Sequence, residues 1–307
     1  MPRGAMSTMV MTGGTSGFGA IAAGRLRRSA ENRLLLGARR VQEPGGSLPL
    51  DLAELESVRA FAGAVRGELA GAPIDALILN AGLVRADANR RTVDGYETTF
   101  AVNHLAHYLL LRLLLPELAT GATVVLTTSG THDPATGAGL TPPRHADAAL
   151  LAYPDRDPGL DTRPRKAGEH AYTASKLCTV LTARALMEQE SLRDKAVTVI
   201  AYCPGQVFGT GLAQDLPFYM RAVWSVMGAP VLSRPVRRLN RTLNTRVDAG
   251  NTLADLASGV VRPPAGRIYA ALRGGQLTWS DPSEAARGVE AARTLWRDSA
   301  ELAGLPA

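Results

Sequence analysis

The chain has 307 residues, of which 46% are hydrophobic and 20% are charged, and its formal net charge is +6 at pH 7. These fractions are typical of a globular protein and argue against disorder, because enough apolar surface is present to offset chain entropy. We expect neither a membrane span nor a signal peptide, since no apolar run is long enough. The chain has only two cysteines, Cys178 and Cys203, which exclude a disulfide scaffold and predict a reducing cytoplasm.

Short apolar runs alternate with longer segments of helical periodicity through the first two thirds of the chain. Strands and helices that alternate in this way predict an α/β fold, with a doubly wound parallel sheet covered by helices on both faces. The candidate strands cover residues 8–11, 34–36, 74–79, 123–127 and 197–201, and the candidate helices cover residues 21–29, 52–69, 100–115 and 172–190.

Three glycines, Gly13, Gly17 and Gly19, lie between the first strand and the first helix. Glycine lets the backbone approach a phosphate closely, and a helix N-terminus supplies N–H donors and a partial positive charge. The spacing differs from the G-x-G-x-x-G of many dehydrogenases, so a tight turn without a ligand is the alternative. The position of this turn at the start of a parallel sheet favours a dinucleotide site.

Arg39 and Arg40 follow the second strand, where a doubly wound fold meets the adenosine ribose of a dinucleotide. A guanidinium pairs with a phosphate through two hydrogen bonds, whereas an acidic residue at this place would bind the ribose hydroxyls of NAD. We therefore predict NADP(H) as the cofactor. A solvated basic pair without a ligand is the alternative.

Asn103 lies among apolar residues of the third candidate helix, where its amide needs a hydrogen-bond partner. The amide either caps an irregular turn of that helix or holds a water molecule in a proton path. His104 and His107 have a spacing that could bind a metal ion. No third ligand lies at a suitable spacing, so we predict packed helix histidines and no metal site.

Ser129 follows the fourth candidate strand, at the edge where parallel strands line a ligand crevice. Its hydroxyl can hydrogen-bond a carbonyl or alkoxide oxygen, and His132 is a further candidate for facing the substrate. The insertion at residues 131–168 is rich in proline and is either a lid over the crevice or a solvated loop. Within it, the apolar residues 148–153 predict a short helix that docks on the body of the protein.

Tyr172 and Lys176 lie four residues apart and share one face of a candidate helix. The pKa of a tyrosine is about 10, and a nearby ammonium group lowers it by stabilising the phenolate. The pair is therefore suited to acid–base catalysis near neutral pH. An ordinary surface pair is the alternative. Cys178, two residues further along, is predicted to be a packed and unreactive thiol.

The region 206–260 is predicted to form helices that bind the substrate. Five arginines between Arg234 and Arg246 alternate with apolar residues at helical spacing, which favours an amphipathic helix with a solvated face over a nucleic-acid site. Apolar side chains of this region predict a pocket for a bulky substrate. They are Phe208, Leu212, Leu216, Phe218, Tyr219 and Trp224.

As a set, these motifs resemble the short-chain dehydrogenase/reductase (SDR) family over residues 7–210. Segments 102–108 and 175–178 and the pair Leu295-Trp296 are similar to its subgroup of retinol dehydrogenases, carbonyl reductases and protochlorophyllide reductases. The resemblance implies a single Rossmann-like domain over residues 1–307 with about seven strands. It rests on Thr12-Gly13-x-x-x-Gly17-x-Gly19, Asp51-Leu52, Asn80-Ala81-Gly82, Asn103, Ser129, Tyr172-x-x-x-Lys176 and Pro204-Gly205.

The resemblance also implies a role for each of these residues. Tyr172 would exchange the proton, Lys176 would tune Tyr172 and hold the nicotinamide ribose, and Ser129 would position the carbonyl. Asn103 would complete a water relay. The implied cofactor-binding residues are Gly13, Thr15, Ser16, Gly17, Phe18, Gly19, Arg39, Arg40, Asp51, Leu52, Asn80, Ala81, Gly82, Tyr172, Lys176, Pro204, Gly205 and Val207.

The chain departs from the family pattern in two places. Ser129 and Tyr172 are 43 positions apart, which exceeds the usual gap in the family. Light-dependent protochlorophyllide reductases have a cysteine after the Pro-Gly pair, whereas this chain has Gln206, which argues against light-driven chemistry.

We therefore predict an NADP(H)-dependent oxidoreductase that transfers a hydride between nicotinamide and the carbonyl or alcohol of a bulky, largely apolar small molecule. Lysine is scarce relative to arginine, which is typical of a GC-rich bacterial genome. For the bulky substrate we expect a role in bacterial secondary metabolism. The protein is predicted to be a cytoplasmic monomer or homodimer without a nucleic-acid partner. The alternative is a non-redox protein of the same fold, either a dinucleotide sensor or a biosynthetic enzyme that uses the fold as a binding pocket.

Overall fold

The computed structural model describes residues 6–40, 47–207 and 243–306. Its strands are β1 (Ser7–Thr12), β2 (Asn32–Ala38), β3 (Ser47–Pro49), β4 (Ile74–Leu79), β5 (Leu118–Thr127), β6 (Thr198–Cys203), β7 (Gln206–Val207), β8 (Leu243–Asn244), β9 (Tyr269–Arg273) and β10 (Gln276–Trp279). Its helices are α1 (Gly17–Arg27), α2 (Leu55–Leu69), α3 (Thr98–Phe100), α4 (Ala106–Leu114), α5 (Ala148–Ala152), α6 (Pro164–Met187), α7 (Glu190–Asp194), α8 (Arg246–Ala257) and α9 (Val289–Leu302).

Eight strands form one sheet in the order β10-β9-β6-β5-β4-β1-β2-β3. Neighbouring strands pair in parallel except β9 and β10, which form an antiparallel hairpin at one edge. The chain runs outward from β1 to β3 and then returns to β4 on the other side of β1. The carboxyl ends of β1 and β4 therefore border a switch point, where doubly wound sheets bind their ligands.

The predicted doubly wound sheet is confirmed, and each candidate strand overlaps an observed one. The sheet has eight strands instead of about seven, because the chain turns back after β9 and adds β10. Gly274 and Gly275 make this turn with φ angles of 56° and 82°, values that glycine adopts more easily than other residues.

Helices cover both faces of the sheet, as the pattern of apolar residues predicts. Successive strand residues point to opposite faces, so Val10 lies in one apolar cluster while Met9 and Met11 lie in the other. The first cluster includes residues of α2, α4, α6 and α9, and the second includes residues of α1 and α8. The sheet is thus a buried central layer whose carboxyl edge remains for a site.

The predicted docking helix in the insertion is confirmed as α5. Ala148, Leu151 and Ala152 are buried in the first apolar cluster, and the Ala152 carbonyl accepts a 2.9 Å hydrogen bond from the Glu97 N–H. This short helix packs beside α9. It therefore covers other helices, and a lid role for the remaining insertion stays a prediction.

The predicted substrate region is described only in part. The six pocket residues between Phe208 and Trp224 lie outside the described residues, as does most of the arginine-rich segment. The predicted helix is wrong at Leu243–Asn244, which form β8 beside β7. The next helix begins at Arg246, because the Thr245 and Asp248 side chains each accept a hydrogen bond from the other residue's N–H. In the part of the chain that is described, no helix is long and apolar enough to cross a membrane.

Candidate active site

The glycine turn brings β1 against the end of β4 and leaves no room for side chains. A Cβ on Gly13, whose φ is 68°, would lie 2.7 Å from the Ala81 N atom, and a Cβ on Gly19 would lie 2.1 Å from the Gly13 carbonyl oxygen. The close packing of the chain on itself therefore requires these two glycines whether or not a ligand binds.

The N-terminus of α1 is open to an anion. Ser16 precedes the helix without a side-chain hydrogen bond to it, and the first turn holds no acidic residue. Thr15 and Ser16 are exposed, whereas Phe18 is buried against the sheet. Since the first N–H groups of a helix lack intrahelical partners and carry partial positive charge, this turn fits a dinucleotide phosphate.

Thr12 connects the glycine turn to α4, the helix that carries His107. Its Oγ1 accepts hydrogen bonds from Asn80 N (3.0 Å) and Ala81 N (3.1 Å) and lies 2.9 Å from His107 Nε2. The Thr12 hydroxyl therefore donates to Nε2, and His107 Nδ1–H donates to the Asn103 carbonyl at 3.2 Å. Burial lowers the pKa of His107 to about 4, which keeps the ring neutral in this arrangement.

Asn80 connects the turn to the end of β5. Its Nδ2 donates to the Gly13 carbonyl at 3.1 Å, and its Oδ1 accepts from the Thr127 hydroxyl at 3.0 Å. The side chain therefore fixes three strand ends relative to one another. Its amide is occupied by protein groups, and the predicted position of Asn80 beside a dinucleotide stays a prediction.

Asn103 lies in a π-helical turn (Ala101–Leu105) between α3 and α4. Its Oδ1 accepts from Leu83 N at 2.8 Å, and its Nδ2 donates to the Leu83 carbonyl at 2.9 Å and to Ser175 Oγ at 3.0 Å. The structure thus shows the irregular turn that the sequence analysis gave as one alternative. It also links the loop after β4 to α6, and the predicted water relay stays a prediction.

Ser129, Tyr172 and Lys176 come together at the carboxyl edge of the sheet. Ser129 lies close enough to Tyr172 to lower the pKa of its hydroxyl, and Lys176 Nζ lies 5.9 Å from the centre of the Tyr172 ring. Lys176 Nζ donates to the Thr127 carbonyl at 3.1 Å, and the Thr128 hydroxyl donates to the Lys176 carbonyl at 2.8 Å. The surface-pair alternative is excluded, because Tyr172 and Lys176 are both buried.

Burial controls the proton affinities of this cluster. It raises the pKa of Tyr172 to about 12 despite the opposing effect of the nearby Ser129 hydroxyl, and it lowers the pKa of Lys176 to about 8. The expected lowering of the Tyr172 pKa is therefore wrong for this structure, because the cost of burying a phenolate is the largest effect. Tyr172 is a protonated acid at neutral pH, and Lys176 is mostly an ammonium.

His132 does not face the substrate side, which corrects the sequence prediction. The side chain is fully buried, Nδ1 donates to the Ser129 carbonyl at 2.6 Å, and Nε2 accepts from Ser283 N at 3.4 Å. Both ring nitrogens thus bond to the backbone, and burial lowers the pKa of the ring. The residue supports the turn that carries Ser129.

His104 and Cys178 are both buried in the protein interior. His104 Nε2 lies 2.8 Å from Ser299 Oγ, and burial lowers its pKa to about 3. Cys178 is buried, and burial raises the pKa of its thiol. Within the described ranges no group of three or more metal-ligating side chains comes together.

The other predicted cofactor residues follow the carboxyl ends of strands. Arg39 and Arg40 are exposed after β2, Asp51 is exposed after β3, and Leu52 beside it is buried. A Cβ on Gly82 would lie 3.5 Å from Lys176 Nζ. Beyond β6, the Pro204 carbonyl accepts from Asn244 Nδ2 at 2.9 Å, Gly205 has a φ of 70°, and Val207 is buried. All lie at the edge where a dinucleotide would extend.

Sequence reasoning missed several residues that hold the site in place. These residues are Thr12, His107, Thr127, Thr128 and Ser175. Only His107 has apolar neighbours on both sides, the signal that identified Asn103, whereas the others lie beside glycine or polar residues.

Similar proteins are found both by sequence and by structure. A family model described as short chain dehydrogenase matches residues 7–137. Protochlorophyllide reductase from Chlamydomonas reinhardtii is 30% identical over 333 residues, which cover 98% of this chain and 78% of that protein. An uncharacterised protein from Mycobacterium paratuberculosis has a TM-score of 0.65 at 24% identity, covering 100% of this chain and 97% of the other. NADPH-bound carbonyl reductase from chicken fatty liver has a TM-score of 0.53 at 17% identity, covering 83% and 87%.

Proposed function

This chain belongs to the short chain dehydrogenase family, and we propose that it is an NADP(H)-dependent oxidoreductase that interconverts a carbonyl and an alcohol. The observation that carries the proposal is the cluster of Ser129, Tyr172 and Lys176, in which a buried phenol and a buried ammonium lie together. Burial of such groups is costly, and strongly shifted pKa values are typical of functional sites.

Tyr172, Ser129 and Lys176 each have a separate role in carbonyl reduction. Tyr172 donates its hydroxyl proton to the carbonyl oxygen, and the Ser129 hydroxyl hydrogen-bonds the same oxygen as negative charge develops there. The Lys176 ammonium stabilises the phenolate that remains. A bound nicotinamide supplies the hydride for the carbonyl carbon and accepts it in the reverse direction. Asn103 holds Ser175 and the loop at Leu83 in position around this centre.

The dinucleotide would lie along the carboxyl edge of the sheet, with its phosphates at the open N-terminus of α1. We propose that Arg39 and Arg40 bind the 2′-phosphate, and the NADPH-bound carbonyl reductase with the same fold supports this choice. The remaining proposed binding residues are Gly13, Thr15, Ser16, Gly17, Phe18, Gly19, Asp51, Leu52, Asn80, Ala81, Gly82, Tyr172, Lys176, Pro204, Gly205 and Val207.

We expect Arg39→Ala to weaken NADPH binding by about 10- to 100-fold, since a charge-assisted hydrogen bond contributes about 1.5–3 kcal/mol. NADH binding should not change. Fluorescence titration of both cofactors gives the dissociation constants. Arg33→Ala is the matched control, because Arg33 lies on β2, the strand that precedes Arg39, and pairs with Glu68 instead. Equal affinities of the wild type for NADPH and NADH would contradict the assignment.

The proposed substrate is a bulky, largely apolar carbonyl compound or alcohol. The relative from Chlamydomonas reinhardtii is named as a reductase of protochlorophyllide, and this name supports a bulky substrate here. Gln206 stands where the resemblance implies a cysteine in the photoreductases, so we do not extend light-driven chemistry to this chain. α6 is buried along most of its length within one chain, which supports a monomer.

The direct test is to follow NADPH absorbance with a panel of aryl and polycyclic ketones and aldehydes. We expect turnover of at least one bulky ketone, faster with NADPH than with NADH. Tight NADPH binding without consumption by any carbonyl in the panel would instead favour a non-redox use of the fold.

A further inference from the structure

Arg273, the last residue of β9, reaches toward the turn that follows Ser129. Its Nη1 donates to the Leu272 carbonyl at 3.3 Å and lies 3.6 Å from Cys203 Sγ. Its Nη2 lies 3.3 Å from the position that a Cβ on Gly130 would occupy. The guanidinium therefore extends from the outer part of the sheet to the residue next to Ser129.

Buried Asn244 fixes the strand end that carries Arg273. Asn244 Nδ2 donates to the carbonyls of Pro204 (2.9 Å) and Leu272 (2.8 Å), and its Oδ1 accepts from Gly275 N at 2.8 Å. These bonds hold the β9–β10 turn against the residues that follow β6. Arg273 is thus held in place at the same edge of the sheet as the proposed catalytic hydroxyls.

No carboxylate of the described residues pairs with this half-buried guanidinium. Arg273 interacts with the side chains of Cys203 and Tyr269 and lies close to His132, whose pKa is lowered by burial. Over residues 6–40, 47–207 and 243–306, no aspartate or glutamate forms an ion pair with it. Since removing a cation from water costs free energy unless an opposite charge compensates, the site is suited to an anionic ligand.

We propose that Arg273 binds a carboxylate of the substrate, so that the substrate is a carbonyl compound or alcohol that also carries an acidic group. The planar guanidinium matches a carboxylate through two parallel hydrogen bonds. Gly130, beside which Nη2 lies, directly follows Ser129 in the chain. A substrate whose carbonyl bonds to the Ser129 hydroxyl would therefore place a nearby carboxylate at the guanidinium. This inference rests on the proposed function.

The test compares 4-oxo-4-phenylbutanoate with its methyl ester, which has the same ketone without the charge. We expect the wild type to prefer the acid at least tenfold in kcat/KM with NADPH, mainly through KM. Arg273→Met should bring the ratio close to one, mainly by raising KM for the acid, and Arg273→Lys should lower the ratio partially. Arg267→Met, which removes a surface ion pair with Asp281, is the matched control and should keep the wild-type ratio.

Calorimetric titration of the two compounds separates this inference from the proposed function. Acid binding that is lost in Arg273→Met supports the carboxylate site even if no NADPH is consumed, in which case the proposed function fails alone. Turnover with an equal preference for acid and ester in the wild type and Arg273→Met overturns the carboxylate site alone. Failure of the wild type to bind the acid more tightly than the ester also overturns it. If Arg273→Met does not fold, Arg273→Lys decides by the same ratio.

Discussion

Replacing Tyr172 with phenylalanine is expected to lower turnover by about 10²- to 10⁴-fold, the usual contribution of general acid–base catalysis. The substitution keeps the ring at the carboxyl edge of the sheet and removes the hydroxyl that lies near Ser129. The melting temperature and the dissociation constant for NADPH should therefore stay close to those of the wild type. Steady-state kinetics on a bulky ketone, with NADPH titration on the same preparation, measure both effects.

The control for deleting a tyrosine hydroxyl is Tyr96→Phe. The Tyr96 hydroxyl donates to the Leu302 carbonyl at 2.7 Å, outside the proposed site, so its loss should leave turnover unchanged. If Tyr172→Phe turns over ketones at the wild-type rate, Tyr172 is not the acid.

The raised pKa of Tyr172 also predicts how carbonyl reduction and alcohol oxidation depend on pH. Burial raises this pKa to about 12, so the phenol is protonated at neutral pH and is ready to donate during carbonyl reduction. Alcohol oxidation needs the phenolate. At pH values below the pKa, the phenolate fraction increases about tenfold for each unit by which the pH rises. The kcat/KM for alcohol oxidation should therefore rise with pH in the alkaline range, while carbonyl reduction should not.

The sequence carried enough information for the sheet and for the residues that follow its strands. Apolar runs of strand length predicted β1, β4 and β5, and the i, i+4 spacing placed Tyr172 and Lys176 on one helix face. Such signals are local, because each depends on residues close together in the chain. They could not give the burial of the pair, and burial reversed the expected direction of the Tyr172 pKa.

The network around the glycine turn could not be predicted from local patterns. Thr12 meets His107, which is 95 positions away in the chain, and it also meets the backbone of Asn80, 68 positions away. These contacts exist because β1 and β4 are neighbours in the sheet while the helical segment crosses above their ends. In the same way, His132 turned inward because two backbone groups satisfy its ring nitrogens, which its position after Ser129 does not reveal.

Lys176→Met is expected to lower turnover by about 10²-fold or more, because a preorganised charge beside a developing anion typically contributes that much. Methionine fills a similar volume but carries no charge to stabilise the Tyr172 phenolate. Lys195→Met is the matched control, since Lys195 Nζ also donates to main-chain carbonyls, those of Pro116 and Leu118, at the opposite end of β5. Equal loss of activity in both variants would point to a general structural effect.

Lys176→Met, which lowers turnover, should increase the free energy of unfolding at neutral pH. Burial lowers the pKa of Lys176 from 10.5 to about 8. Between these two pH values the unfolded chain binds a proton that the folded chain does not bind, so the free energy of unfolding of the wild type rises with pH. A shift of this size corresponds to about 3 kcal/mol over the whole interval. Below pH 8 the folded wild type carries a buried ammonium, and this cost is absent in Lys176→Met.

Urea unfolding of the wild type, Lys176→Met and Lys195→Met at pH 7, 8, 9 and 10 measures this difference. Other titrating groups are common to all three proteins, so the difference between the curves isolates Lys176. Loss of the hydrogen bond to the Thr127 carbonyl costs Lys176→Met about 1 kcal/mol, which is less than the cost of the buried charge. The variant should therefore be more stable than the wild type at pH 7, lose that advantage as the pH approaches 10, and remain nearly inactive throughout. If the free energies of unfolding of the wild type and Lys176→Met depend on pH in the same way, burial of the Lys176 charge does not cost stability. The shifted pKa that supports the acid–base role of Tyr172 and Lys176 would then be contradicted.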